Sequence, residues 1–323
     1  MGDDDEDDLR LLQALAVLLQ TNDTRLHSDE NTLPPGSACC YTGLAWTCRY
    51  LSRPGDQVSL AYSTVHRYRR VGFYAIIQAL ADNISIPSTV PTQFIESFPC
   101  FDQALAATDG VHVPIIVAAK DAERFRNRKG WTSTNVIIAS DWQLKVVFIY
   151  PGVEGSAHDS MVLAHSKLLQ QLPQRMYVLA DAGYALHSQV LTPHRGVRYH
   201  LKEFAEGTGR PRTEKELFNL RHAKSRNVVE RLNGCRKRRF RILRVPIERA
   251  FVVAKAIIFA CACLHNFIRC HATEDMAEDL QGDDSNDSEE EDPARESALP
   301  FAFQTPRNWR DWMTDAMWTE YDC

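Results

Sequence analysis

Three acidic residues stand where a fold could bring carboxylates together. Asp109 follows an apolar stretch, Ala104 to Thr108, that reads as a short strand ending at the acid. Asp181 follows a second such stretch, Tyr177 to Ala180, and Glu230 lies in a basic helical stretch between Val229 and Arg231. The first two are separated by 71 residues and the second two by 48. Singly, acids at strand ends are ordinary turn formers. Together they supply hard oxygen ligands that suit octahedral Mg2+ or Mn2+. Two such ions about 3.5–4 Å apart activate an attacking oxygen and stabilise a leaving one at a phosphodiester.

The charge along the chain is compatible with that substrate. Over 323 residues the formal net charge is −5, which taken alone disfavours a polyanionic partner. The average hides two acidic flanks, with six acids in Asp3 to Asp8 and eleven between Glu274 and Asp292. From Gly36 to His271 there are 32 Lys and Arg against 17 Asp and Glu, a balance of +15. Arg195 to Lys255 alone holds 18 against 6. A basic body points to a polyanion such as DNA.

Nine cysteines, an odd number without a C-x-x-C pair, predict no disulfide framework and a reducing compartment. No secretory leader is expected, because Leu9 to Leu19 is preceded by acids rather than by a basic region. The longest apolar run, Phe251 to Leu264, contains Lys255 and reads as too short to span a bilayer, so no membrane partner is expected.

The elements that must position the acids read as a mixed α/β layout with a central sheet. Residues 1–35 form an acidic segment with a short helix, Leu9 to Gln20, and a polar linker. Residues 36–93 read as helical, Cys39 to Leu51 and Gln57 to Leu80, around the Pro54-Gly55 turn. This region resembles a helix-turn-helix, and its second helix carries Arg67, Arg69 and Arg70. It either contacts DNA or forms a lid with a solvated basic face. Strands are predicted at Asn135 to Ala139 and Lys145 to Tyr150, joined by a hairpin turn, and later at Val197 to Leu201. Helices are predicted at Asp159 to Leu172, Arg226 to Phe240 and Phe251 to Arg269. Residues 94–272 make the main domain, 273–299 an acidic linker, and 300–323 an aromatic helix carrying Trp309, Met313 and Met317 on one face.

Other residues have two readings each. Asp159 is read first as a helix N-cap, with Ser156 as the other cap, and otherwise as a fourth acid near the metals. His112 either touches substrate or pairs inside the sheet. The run Arg236, Lys237, Arg238 and Arg239 contacts phosphates, marks nuclear entry, or is a solvated helix face. Cys261, Cys263 and His265 cannot all converge from one helix at that spacing, so they are read as packing residues.

Taken in order, these stretches resemble PIF/Harbinger-type transposases, of the DDE superfamily endonuclease group, or nucleases domesticated from them. Ala107 to Val113 resembles a D-G-x-H motif, Arg126 to Gly130 with Asn135-Val136 an R-x-R-K-G…N-V stretch, and Gly152 to Ser160 a G-S-x-H-D-S motif. Leu179 to Tyr184 resembles D-x-G-Y, Arg198 to Phe204 and Lys215 to His222 the loop beyond it, and Arg226 to Arg231 an R-x-x-x-E-R helix. Leu264 to Ile268 resembles the closing helix, and Trp309 to Tyr321 a C-terminal R-D…M-W-x-x-Y segment. The resemblance covers residues 94 to 272 and the tail.

It implies an RNase H-like fold, a triad on Asp109, Asp181 and Glu230 holding two divalent ions, and DNA cleavage followed by strand transfer. It also implies DNA contacts from Arg226 and Arg231 and a Myb-like partner that aids DNA binding and nuclear entry. The nucleus is the expected compartment, with the cytoplasm as a second. Self-association into a homo-oligomer is left open. Three departures stand out. Asn233 and Arg236 replace bulky apolar residues, which is expected to loosen packing or expose a charged face. Val111 replaces a threonine, and the region around Ser52 to Arg70 is shorter than usual. The alternative is therefore a domesticated, catalytically weak or inactive DNA- or chromatin-binding adaptor. A metal-dependent hydrolase for smaller phosphate esters is a third reading.

Overall fold

In the computed structural model, residues 73, 75–199, 210–271, 303 and 305–321 are described. The helices Leu9 to Gln20 and Cys39 to Leu51, the acidic segments, and Arg67, Arg69 and Arg70 lie outside them. In chain order the elements are α1 (Thr92–Ser97), β1 (Ala104–Pro114), α2 (Ala122–Phe125), β2 (Ser133–Ser140) and β3 (Val146–Glu154). There follow α3 (Asp159–Ser166), α4 (Leu168–Gln171), β4 (Tyr177–Leu179), β5 (Val190–Leu191), α5 (Glu214–Arg239), α6 (Phe251–His271) and α7 (Pro306–Tyr321).

The strands form one sheet in the order β3-β2-β1-β4-β5. β1, β2 and β3 are antiparallel neighbours, while β4 and β5 run parallel to β1. The fold is thus α/β, a mixed five-stranded sheet flanked by helices. Both sheet faces are covered, so β2 is buried along its whole length instead of alternating. Val111, Val113, Val136 and Ile138 pack on one face with residues of α5, α6 and α7. Leu105, Ile137 and Phe148 pack on the other with Val162, Leu163 and Leu168.

Several expectations are corrected. β1 does not end at Asp109 but runs on to Pro114, because β2 stays paired alongside it down to Ser133. The predicted strand at Val197 to Leu201 does not form over Val197 to Tyr199. There the carbonyls of Val197 and Arg198 accept from the buried Asn219 amide instead. The fifth strand is Val190–Leu191, paired with β4. The single helix expected from Asp159 to Leu172 breaks at Lys167, whose φ is 60°. Helix α5 begins at Glu214, so Lys215 to His222 is helix rather than loop. Thr213 caps it, its hydroxyl accepting from the Glu216 N–H.

Helix α6 also exceeds expectation. Its 21 residues, with a mean hydropathy of 2.0 in the most apolar window, meet the length and composition of a membrane span, but 67% of that window is buried inside the fold. Side-chain bonds fix it there as a core helix. Asn266 accepts from the Val146 N–H and donates to the carbonyls of Val146 and Asn83. His265 meets the Leu144 carbonyl through Nε2 and Arg239 through Nδ1. Cys261 and Cys263 are fully buried beside it.

Candidate active site

The register between β1 and β4 places the first two acids. Ala107 pairs with Leu179 in the last parallel row, and Asp109 and Asp181 each follow two residues later. β4 stops there while β1 continues, so both acids stand at the carboxyl end of the parallel pair. That is where open α/β sheets leave a crevice for ligands. Glu230 comes from α5, on the sheet face that Asp109 shares with Val111 and Val113.

Arg226 ties this group together. It lies one helical turn before Glu230 and is 8% exposed. Its Nη2 pairs with Glu230. Its Nη1 lies 3.8 Å from Asp109 Oδ1, and its Nε donates to the Tyr199 hydroxyl at 2.7 Å. The Asp109 carboxyl is raised to about 6, chiefly by burial. Asp181 and Glu230 add to that rise, while the Arg226 charge and the Gly110 N–H oppose it. Burial opposes the Arg226 charge, but Tyr199, Asp109, Glu230 and Asp181 together hold its pKa above the ordinary arginine value. Beside the acids, burial raises the Tyr184 phenol, and Asp159, Asp109 and Asp181 raise it further. The Tyr184 hydroxyl is buried and has no hydrogen-bond partner.

Asp159 and His112 belong to the opposite sheet face. Side chains alternate along a strand, so Gly110 and His112 point away from Asp109. Asp159 is the first residue of α3, not its cap; that position is His158, whose side chain makes no capping bond. The carboxylate is drawn inward instead, accepting from Asn135 Nδ2 at 2.6 Å. It fills the space over Gly110, where a Cβ would lie 2.4 Å from Asp159 Oδ1. The His112 ring meets Ser133 Oγ at 2.9 Å. Its pKa is lowered by burial, against which Asp159 acts, while Lys237, Lys129 and Arg128 lower it further.

The predicted DNA-contacting run does not form one face. Arg236 is buried and has a pKa lowered by burial to about 10. It falls on the inward stripe with Val229, Leu232 and Asn233, as the spacing i, i+3, i+4, i+7 dictates. Asn233 and Arg236 line a small cavity with Val111, Val113, Val136 and Ile258. These two departures therefore face the interior and expose no charged surface. Lys237 is half-buried and Arg238 exposed. Arg239 is engaged with His265, and Arg231 is half-buried.

The donor set of Asp109, Asp181 and Glu230 is all carboxylate oxygen, suited to hard divalent cations. Among the described residues no three His, Cys, Asp or Glu converge on one metal position. Between Asp109 and Glu230 the positive charge comes from Arg226. Sequence reasoning assigned Arg226 to DNA and passed over its link to the acids. The signal was present as an Arg–Glu pair at i, i+4. Tyr184, Asn135 and Tyr199 all lay inside quoted motifs without being singled out.

Residues 108–266 match the model of a family described as DDE superfamily endonuclease. The protein named "Putative nuclease HARBI1" of Rattus norvegicus is 24% identical over 262 residues, covering 77% of this chain and 71% of its own. Its namesake from Mus musculus is 25% identical over 263 residues, with the same coverage. That of Homo sapiens is 24% identical over 257 residues, covering 75% and 69%. No solved structure matches the chain.

Proposed function

The chain belongs to the DDE superfamily endonucleases through residues 108–266, and from that premise we propose that it is a divalent-metal-dependent DNA endonuclease of transposase type. The observation that carries this reading is the β1/β4 register, which sets Asp109 and Asp181 side by side at the sheet's carboxyl end, with Arg226 joining Asp109 to Glu230. We read the mixed sheet as RNase H-like and the three acids as the catalytic triad. Mg2+ or Mn2+ bound there would supply Lewis acidity at the phosphodiester.

The protein's own groups do the rest. Arg226 positions Asp109 and Glu230, holding its Nη1 3.8 Å from Asp109 and its Nη2 on Glu230. The Glu230 side chain is 53% exposed, which leaves it free to turn from Arg226 toward a cation. The Tyr184 hydroxyl offers a donor beside the acids. The same site would serve strand transfer, with a 3′-hydroxyl in place of water, on chromosomal DNA in the nucleus. The adaptor reading drew on Asn233 and Arg236 either loosening the packing or exposing a charged face; both residues are buried and line a small cavity, which removes the second ground.

Nicking of supercoiled plasmid with Mn2+ tests the proposal. Asp109→Ala, Asp181→Ala and Glu230→Ala should each lower the rate about 100-fold or more, and EDTA should abolish it. Undiminished nicking by all three variants would overturn the reading.

A further inference from the structure

The loop from Arg126 to Thr132 holds a tryptophan outside the core on a fixed frame. Arg126 and Thr132 form a β-bridge across its base. Inside it the Asn127 N–H donates to the Trp131 carbonyl at 3.0 Å, and the Gly130 N–H to the Asn127 carbonyl at 2.9 Å. The Asn127 side chain, buried, accepts from the Lys129 N–H at 2.9 Å and donates to Ser133 Oγ at 3.1 Å. Arg126 Nη1 donates to the Gly130 carbonyl at 3.1 Å. Gly130 takes φ +87°, a conformation that would strain a side chain.

This frame presents Arg128, Lys129 and Trp131 to solvent, the indole being 37% exposed. Its ring meets His112 at 6.1 Å and 78°, an edge contact, and about a third of the residue stays open to solvent. His112 lies three residues along β1 from Asp109, roughly 10 Å at the rise of a strand, with its ring on the other face of the sheet. Arg128, Lys129 and Lys237 all act on His112, and Lys237 also feels Asp109. The loop itself carries two exposed cations, Arg128 and Lys129, beside the indole. An apolar protein partner would meet this charge unfavourably, whereas a nucleic acid offers both phosphates and a flat ring.

We infer that the Arg126–Thr132 loop binds an unpaired nucleobase at a DNA end, stacked on Trp131, with Lys129 and Arg128 on the flanking phosphates. Base–aromatic stacking of this kind tolerates any sequence. The inference rests on the nuclease reading, since it specifies the form of DNA presented to that site.

Fluorescence anisotropy on the full chain provides the test, using a labelled blunt duplex and the same duplex with three unpaired nucleotides at one end. Wild type should prefer the frayed duplex. Trp131→Ala should lower affinity for it by about 5- to 150-fold and leave the blunt duplex nearly unaffected. Trp131→Phe should keep most of the preference. Trp131→Leu, which preserves apolar bulk without a π-face, should lose it, so a folding defect in the alanine variant does not decide the outcome. Equal affinity of wild type for both duplexes, or a preference unchanged in Trp131→Leu, would overturn the inference. Neither result bears on nicking, whose loss in the acid variants is scored separately.

Discussion

Asp109 is a residue under stress at neutral pH. Its folded carboxyl sits at about 6 against an ordinary 3.8, so ionising it costs more in the fold than in the open chain. For an acid with a raised pKa, the stabilising contribution is complete below the unfolded value and disappears as pH rises through the folded one. The window here runs from about pH 4 to about pH 6. Above it the charge destabilises the fold by up to about 3 kcal/mol, at 1.36 kcal/mol per unit. Asp109→Asn should therefore unfold at higher urea concentration than wild type at pH 7.5, and the difference should vanish near pH 4. A cation that pairs with Asp109 relieves the same stress, so Mn2+ should stabilise wild type and leave Asp109→Asn little changed. An Asp109→Asn variant no more stable than wild type at pH 7.5 would mean that Arg226 already neutralises the carboxylate. Strain of this kind is common where a site is built to receive a ligand.

At the scale of elements, the sequence revealed types more readily than lengths. The apolar runs at 135–139 and 145–150 and the polar turn between them marked β2 and β3, and apolar spacing marked α6 and α7. β1 was cut short because Asp109 and Gly110 are poor strand formers by propensity. Pairing with β2 overrides that preference, since each residue from Ala107 to Pro114 has a partner across the ladder. The same override explains why Gly110 is a strand glycine: Asp159, recruited by Asn135, closes over it. No local pattern foretells that packing, because the partners lie 24 and 49 residues away in sequence. Gly110→Ala should force Asp159 off Asn135 and cost about 1–3 kcal/mol, read by urea denaturation. Adding Asp159→Ala should recover part of the loss, because the two changes share one space. Strictly additive losses would show that something other than this contact holds Asp159 in place.

At the scale of the molecule, the C-terminal helix is coupled to the proposed site through a chain of bonds. In α7, Trp309 is buried with its ring 4.9 Å from Tyr177 of β4, the strand that leads to Asp181. Arg310 Nη1 donates to the carbonyls of Thr192 and Pro193, beyond β5. Thr314 Oγ1 meets His194 Nε2 at 2.8 Å. His194 in turn donates its N–H to the side chain of Asn219, on the helix that carries Arg226 and Glu230. The sequence foretold that Trp309, Met313 and Met317 share a face, since helical spacing alone decides that. It could not say that the face closes on β4 and α5 across an intervening acidic stretch, because periodicity identifies a stripe and not its partner. If α7 is an integral part of the fold, Trp309→Ala should cost about 3–5 kcal/mol, the range for a buried aromatic truncated to alanine. Urea denaturation followed by far-UV circular dichroism should then show one transition shifted to lower urea. A separate early transition, or a loss below about 1 kcal/mol, would make α7 an appendage that folds apart from the sheet.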